Sequence, residues 1–206
     1  MNKKTQITVL GDGAWGTVLA LLLHKNGHKV TLWGPFPQYI DEMKKSGRNH
    51  KFIPDAVFPE GFTITGSMEE ASANAEFFVM ASPSQYARGT IEKLKPCFDI
   101  KRQSVINVAK GIENGTLKRV SEICAELLGD NCRYAALSGP SHAEEVVKSL
   151  PTAVVAASKD EEFAVEVQKL FINNTFRVYS TDDVVGVELG GALKNVLAIE
   201  IGRAHV

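Results

Sequence analysis

Two spacings of apolar residues take turns along this chain. Continuous apolar runs at 7–10, 77–81 and 104–109 alternate with stretches in which apolar residues recur every three or four positions. Runs of four to six apolar residues suit strands covered on both faces, as in a parallel sheet, and the longer spacing suits helices with one buried stripe. The pattern predicts strands at 7–10, 29–33, 62–66, 77–81, 104–109, 134–137, 152–157 and 176–179. Between them it predicts helices ending at Lys25 and covering 38–45, 68–74, 85–94, 117–128, 142–148 and 161–171, with a last helix from about Val184. In the first helix Val18, Leu19, Leu22 and Leu23 form the stripe, and Asn26-Gly27 ends it. Residues 46–59 read as loop, because Pro54 and Pro59 argue against a central strand or a helix interior. Strands and helices in strict alternation imply an α/β fold with a doubly wound, mostly parallel sheet and room for mixed pairing at its far edge.

Composition narrows the class. With 206 residues, 44% of them hydrophobic and 23% charged, the chain can bury a core and reads as an ordinary soluble globular protein. A net charge of -1 offers no broad basic surface for nucleic acid. The first strand follows the N-terminus too closely for a secretory apolar region, and no run approaches membrane-spanning length, so a cytoplasmic location is the expectation. Cys97, Cys124 and Cys132 match no metal-ligand spacing and read as reduced thiols, which leaves no expected metal.

The chemistry gathers just past the strands, where ligands of such sheets bind. After the first strand stands Gly11-Asp12-Gly13-Ala14-Trp15-Gly16. Gly11 would permit the tight turn, Gly13 a close approach of backbone to a pyrophosphate, and Gly16 close helix–strand packing, with the anion on the helix N-terminus. A glycine-rich turn that binds nothing is the alternative. Ser82-Pro83-Ser84, Lys110 and Ser138-Gly139-Pro140-Ser141 follow later strands and would face the same crevice. Lys110 stands after an apolar strand, where an ammonium can point at a substrate oxygen or simply meet solvent. In the last helix Glu188-Leu189-Gly190-Gly191-Ala192-Leu193-Lys194-Asn195 sets two glycines beside a lysine, and Glu188, Lys194 and Asn195 share about one side. Such glycines cost about 1 kcal/mol each in a helix, so they suggest close approach by a ligand or by another element.

Together these blocks resemble NAD(P)-dependent glycerol-3-phosphate dehydrogenase of the bacterial type. The residues that carry the resemblance are Gly11 to Gly16, Val108-Ala-Lys-Gly-Ile-Glu113, Ser138-Gly-Pro-Ser141 and Glu188 to Asn195, in order and at compatible spacing. The resemblance implies hydride transfer between NAD(P)H and dihydroxyacetone phosphate or glycerol 3-phosphate, feeding phospholipid synthesis. It implies Lys194 as proton donor and acceptor, and Lys110 as the lysine that touches both substrate and nicotinamide. Gly139 and Ser141 would contact substrate; Gly11, Gly13, Ala14, Trp15, Gly16 and Ala143 would contact cofactor. Two lysines close together would lower each other's pKa. His142, beside the substrate turn, is a weaker acid–base candidate.

The resemblance also sets the expected organisation. Residues 1–181 would form the Rossmann-type dinucleotide-binding domain and residues 182–206 the start of a truncated helical domain, with a homodimer open to it, the tail from Gly202 unlike the family, and Arg203 and His205 incidental. Family members often place histidine or arginine where Pro35 stands. With no acidic residue from Trp33 to Pro37 and no arginine there, NADPH is expected to serve at least as well as NADH. A dinucleotide-binding segment without catalysis, and a related hydroxyacid dehydrogenase, are the competing functions.

Overall fold

Strand β1 (Gln6–Leu10) buries Ile7, Val9 and Leu10, and stops at Gly11, whose φ of +131° turns the chain into helix α1 (Ala14–Lys25). The computed structural model describes residues 4–203, and the side chains of all of these except 195, 197, 198 and 201–203. Strand β2 (Lys29–Trp33) returns parallel to β1, with Ile7 beside Val30 and Leu10 beside Trp33. Then follow α2 (Pro37–Ser46), β3 (Arg48–Asn49), β4 (Ile53–Val57), β5 (Thr63–Thr65), α3 (Met68–Ser72), β6 (Phe77–Met80) and α4 (Ser84–Leu94). The second half runs β7 (Ser104–Asn107), α5 (Val120–Leu128), β8 (Tyr134–Ser138), α6 (Ala143–Val147), β9 (Thr152–Ala157), α7 (Glu161–Phe171), β10 (Phe176–Thr181) and α8 (Val184–Arg203).

Eight strands form one sheet in the order β10-β9-β8-β7-β6-β1-β2-β5. Every pairing is parallel except β8 with β9, which is antiparallel, so the mixed pairing falls on the side of the sheet away from β2. All four residues of β6, Phe77 to Met80, are buried, as their unbroken apolar character requires, and so are all four of β7, where Ser104 and Asn107 flank the apolar Val105 and Ile106. One face carries Leu19 and Leu23 of α1 with Phe163, Val167 and Phe171 of α7; the other carries Ile91 and Leu94 of α4 with Ile123 of α5. Each fully buried side chain of this size contributes about 1.5–3 kcal/mol, so both layers hold the sheet flat against its helices. Cys97, Cys124 and Cys132 are free thiols. Burial pushes the Cys124 thiol well up and that of Cys132 to about 11, which keeps both protonated and unreactive. Among the described residues no helix is long and apolar enough to cross a membrane.

Three sequence expectations need correction. Residues 46–59 are not loop throughout: β3 and β4 form a separate two-stranded antiparallel hairpin, with Arg48 beside Val57 and Asn49 beside Ile53. Pro54 is tolerated because the strand has a neighbour on one side only. The helix expected from 117 starts at Val120, since Leu117 has φ +57° and the Glu122 carboxylate turns back to accept the Arg119 N–H at 2.9 Å. The strand expected to reach 109 ends at Asn107, whose side-chain oxygen accepts the Ala109 N–H at 3.0 Å and bends the chain toward Lys110.

Candidate active site

The strand order reverses between β1 and β6, and this switch point opens the crevice at the carboxyl ends of the strands. Gly11 presses on the turn after β6: a Cβ there would lie 2.7 Å from the Ser82 nitrogen and 2.8 Å from the Ala81 carbonyl carbon. A Cβ on Gly16 would collide with the Gly11 carbonyl oxygen. These two glycines are required by the protein's own packing. Gly13 differs, because a Cβ there would meet nothing within 4 Å. It caps α1 without any side-chain hydrogen bond, the first helical bond runs from the Thr17 N–H to the Gly13 carbonyl, and the first turn holds no acidic residue. The donors ahead of that bond therefore point at open space under the positive end of the helix dipole.

Polar atoms left without partners crowd the same place. Among the described residues five buried side-chain polar atoms lack a hydrogen bond, and three of them, Asp12 Oδ2, Trp15 Nε1 and Ser82 Oγ, belong to the glycine loop or to the turn against it. Buried polar atoms are normally satisfied, so the cluster marks a surface that awaits a polar ligand. Ala14, Trp15 and Ala143 share a small apolar cluster with Val18, Ile53 and Ala56. Expected cofactor contacts from two distant parts of the chain, Ala14-Trp15 and Ala143, are thus brought together.

The hairpin supplies a support that the sequence did not reveal. Asn49, fully buried, donates from Nδ2 to the Asp12 carbonyl and to Thr17 Oγ1, both at 2.7 Å, and accepts from the Tyr39 hydroxyl and the Phe52 N–H. It ties the glycine loop to α1 and to the hairpin. An asparagine in a stretch read as loop gave no signal of this role.

On the other side of the crevice Lys110 lies half-buried after β7 and donates from Nζ to the Gly139 carbonyl at 3.0 Å. An ammonium carries three donors, so two remain for a ligand. Gly111, at φ +129°, packs on Ser84, and the loop beyond is held by Arg88, which grips Glu113 at 2.8 and 3.0 Å. The Ser141 hydroxyl reaches the same Gly139 carbonyl at 3.4 Å. Helix α8 closes on this corner through Gly191, whose Cβ would stand 2.7 Å from Ser138 Oγ and 3.6 Å from Lys110 Cγ. Gly190, by contrast, faces open space. Burial, and next the charge of Lys194, push the Lys110 amine below the usual lysine range. Lys110, Gly139 and Ser141 therefore meet at one corner, and the charge of Lys194, on the helix that closes over it, reaches Lys110. His142 is exposed at the start of α6 and makes no capping hydrogen bond. The Asn195 and Arg203 side chains and residues 204–206 lie outside the described residues. Among the described residues no group of three or more His, Cys, Asp or Glu is placed to hold a metal ion.

Glu188 does not turn toward the lysines. It is buried, accepting from the Tyr134 hydroxyl at 2.6 Å, the Ser121 N–H at 3.0 Å, the Ser121 hydroxyl at 2.6 Å and Arg119 Nη1 at 3.1 Å. Burial, and the Glu188 charge, push the Tyr134 phenol well up, so it stays a donor. The network pins α8 to α5 and β8, and so fixes where Lys194 stands. Glu188→Ala takes the acceptor from the Tyr134 and Ser121 hydroxyls and one of the two carboxylates from Arg119, which keeps Glu122 at 3.2 Å, and should cost about 3 kcal/mol of stability, read by urea unfolding, because buried donors lose their acceptor. A loss below about 1 kcal/mol would show the network to be slack.

Strand order and glycine loop define a Rossmann-type domain. The family model described as NAD-dependent glycerol-3-phosphate dehydrogenase N-terminus matches residues 6–164, and the chain belongs to that family. It is 42% identical over 200 residues to glycerol-3-phosphate dehydrogenase (NAD(P)+) of Fusobacterium nucleatum, which covers 97% of this chain and 59% of that protein. To the enzyme of the same name from Geobacter metallireducens it is 45% identical over 199 residues, covering 96% and 59%. The crystal structure of glycerol-3-phosphate dehydrogenase from Coxiella burnetii superposes with a TM-score of 0.89 at 36% identity, covering 95% of this chain and 59% of that one. The chain thus spans about three-fifths of the length of these relatives.

Proposed function

We propose that this chain is the cofactor-binding part of an NAD(P)-dependent glycerol-3-phosphate dehydrogenase, which interconverts dihydroxyacetone phosphate and glycerol 3-phosphate. The observation that carries the reading is the crevice itself, with unpartnered polar atoms around the glycine loop on one side and the Lys110–Lys194 corner on the other. When bound, the nicotinamide cofactor supplies or takes up the hydride. The donors at the start of α1 hold the pyrophosphate, Gly13 gives it room, and Ala14, Trp15 and Ala143 line its wall. Hydride arrival at a ketone carbon builds negative charge on oxygen, which the Lys110 ammonium stabilises while Lys194 delivers or removes the proton. Gly139 and Ser141 orient the substrate beside Lys110.

In this reading residues 1–181 are the dinucleotide-binding domain and residues 182–206 begin a helical one. The exposed Leu189, Leu193, Val196 and Ile199 on α8 support that division, because an apolar face of this size calls for cover by further protein. The enzyme would act in the cytoplasm, as a homodimer, in phospholipid synthesis. The 206-residue chain by itself should bind dinucleotide yet reduce dihydroxyacetone phosphate at least about 100-fold more slowly than the full-length enzyme, since substrate phosphate contacts and closure against water both add to the rate. Calorimetry with NADH and NADPH, beside a spectrophotometric assay of both proteins, tests this. Absence of dinucleotide binding would overturn the functional reading, and equal turnover would overturn the division of labour.

A further inference from the structure

In Rossmann sheets the adenosine ribose lies at the carboxyl end of the second strand, where an acidic side chain about 20 residues past the glycines selects the 2′-hydroxyl and a cation accommodates a 2′-phosphate. After β2 this chain has Gly34-Pro35-Phe36-Pro37, with neither. The structure nevertheless brings a carboxylate to that strand end from another direction. The Asp12 side chain, from the first variable position of the glycine motif, lies against Gly34. A Cβ on Gly34 would fall 2.5 Å from Asp12 Cγ and 2.9 Å from Asp12 Cβ, and would collide with Oδ2. Asp12 and Gly34 are therefore a matched pair, the one occupying space that only the other leaves free.

Resting on the dinucleotide reading above, we infer that Asp12 is the cofactor-selecting residue of this chain, its carboxylate disfavouring a 2′-phosphorylated dinucleotide at the end of β2 and so favouring NADH over NADPH. Asp12 is only 7% exposed and its Oδ2 receives no hydrogen bond. It therefore does nothing evident for the fold, whose contact with the loop runs instead through the Asp12 carbonyl and Asn49. Burial raises its pKa; the opposing influences, smaller, are its own backbone N–H and the charge of Lys51. Its field also reaches Tyr39, whose phenol is pushed up by burial first, with Asp12 and Glu42 adding to it. Lys51 is the opposing charge at this rim. Its ammonium lies 5.6 Å from the Tyr39 ring centre and 5.2 Å from that of Phe52, exposed on the hairpin and screened by water. A buried charge held against Gly34 at the end of β2 outweighs a solvated one of opposite sign. The carboxylate acts through its field, so no contact with the ribose is needed.

The test measures Kd for NADH and NADPH, by the fluorescence of each reduced cofactor, on the purified full-length protein and on its Asp12→Ala and Asp12→Asn variants, with Tm recorded for each. NADH is expected to bind more tightly to the unaltered protein, and both variants should shift the ratio about 10- to 100-fold toward NADPH, as loss of one charge at this range implies. Their Tm should hold or rise, because an unpartnered buried carboxylate is being removed; a group with a merely structural role would lower Tm and leave the ratio alone. Tighter binding of NADPH by the unaltered protein, or a ratio unchanged in both variants while both dinucleotides bind, would overturn the inference without touching the dinucleotide reading. Failure of the unaltered protein to bind either dinucleotide would overturn both.

Discussion

Gly13→Val should weaken dinucleotide binding about 100-fold or more while leaving a folded protein, and Gly16→Val should lose the fold together with the binding. The two glycines stand three residues apart in one motif, yet the space around them differs. At Gly16 a Cβ would overlap the Gly11 carbonyl oxygen and lie 3.1 Å from Ala81 Cβ, so the start of α1 would have to part from the end of β1. At Gly13 nothing in the protein stands within 4 Å, and the residue has φ -68° and ψ 177°, which valine can adopt. Its replacement costs the protein about 1 kcal/mol through the poorer helix cap. What valine would fill at Gly13, on the proposed reading, is the room a pyrophosphate needs to reach the α1 donors. Circular dichroism melts paired with calorimetric titration separate the outcomes. An unchanged Kd in a well-folded Gly13→Val protein would show that the loop does not carry the dinucleotide.

The central sheet was legible because its physical demands are local. A strand covered on both faces must be apolar at its centre, as 77–80 and the Val105-Ile106 pair of β7 are, and the first turn needs glycines where its own backbone leaves no room. The hairpin at 48–57 hid behind Pro54 and Asp55, whose exposed side chains leave only Ile53 and Ala56 buried in β4 and break the alternation that announces a strand. Asn49 was hidden for a related reason, since a buried amide cannot be told from a loop amide until its partners are known. The partners of Glu188 lie 54, 67 and 69 residues upstream, in stretches that only the folded sheet brings beside α8. From spacing alone the residue was grouped with Lys194 and Asn195, whereas its carboxylate is spent on holding the helix. Asp12 shows the same limit differently. The acidic group expected downstream of the glycines stands inside the motif, and only the packing of Gly34 against it reveals that it reaches the end of β2.

In the full-length enzyme Lys194→Ala should lower kcat by about 10²–10⁴-fold and Lys110→Ala should lower kcat/KM by a similar factor, while NADH binding to the Lys194 variant stays within about threefold. In the proposed reading both lysines act where charge appears in the transition state, so their loss falls on the chemical step rather than on the cofactor. The pair also makes a prediction about pH. The Lys110 amine titrates below the usual lysine range because it is buried, and because Lys194 stands close enough to oppose a second positive charge. Ketone reduction needs the ammonium form, so its rate should fall as pH rises through this lowered pKa. Stability should move the other way: between the folded and the unfolded pKa the unfolded chain binds more protons, and stability rises with pH across that window. Lys194→Gln removes the second cause and leaves the first, so the Lys110 titration should move up toward, and stop short of, the ordinary lysine value. Lys194→Arg keeps the charge and should leave the titration of Lys110 where it was. NMR titration of isotopically labelled lysine side chains reads this directly, without relying on turnover. A Lys110 pKa that is the same in the glutamine and arginine variants would mean that the two ammonium groups do not share a site, and the assignment of Lys194 as proton carrier beside Lys110 would fall with it.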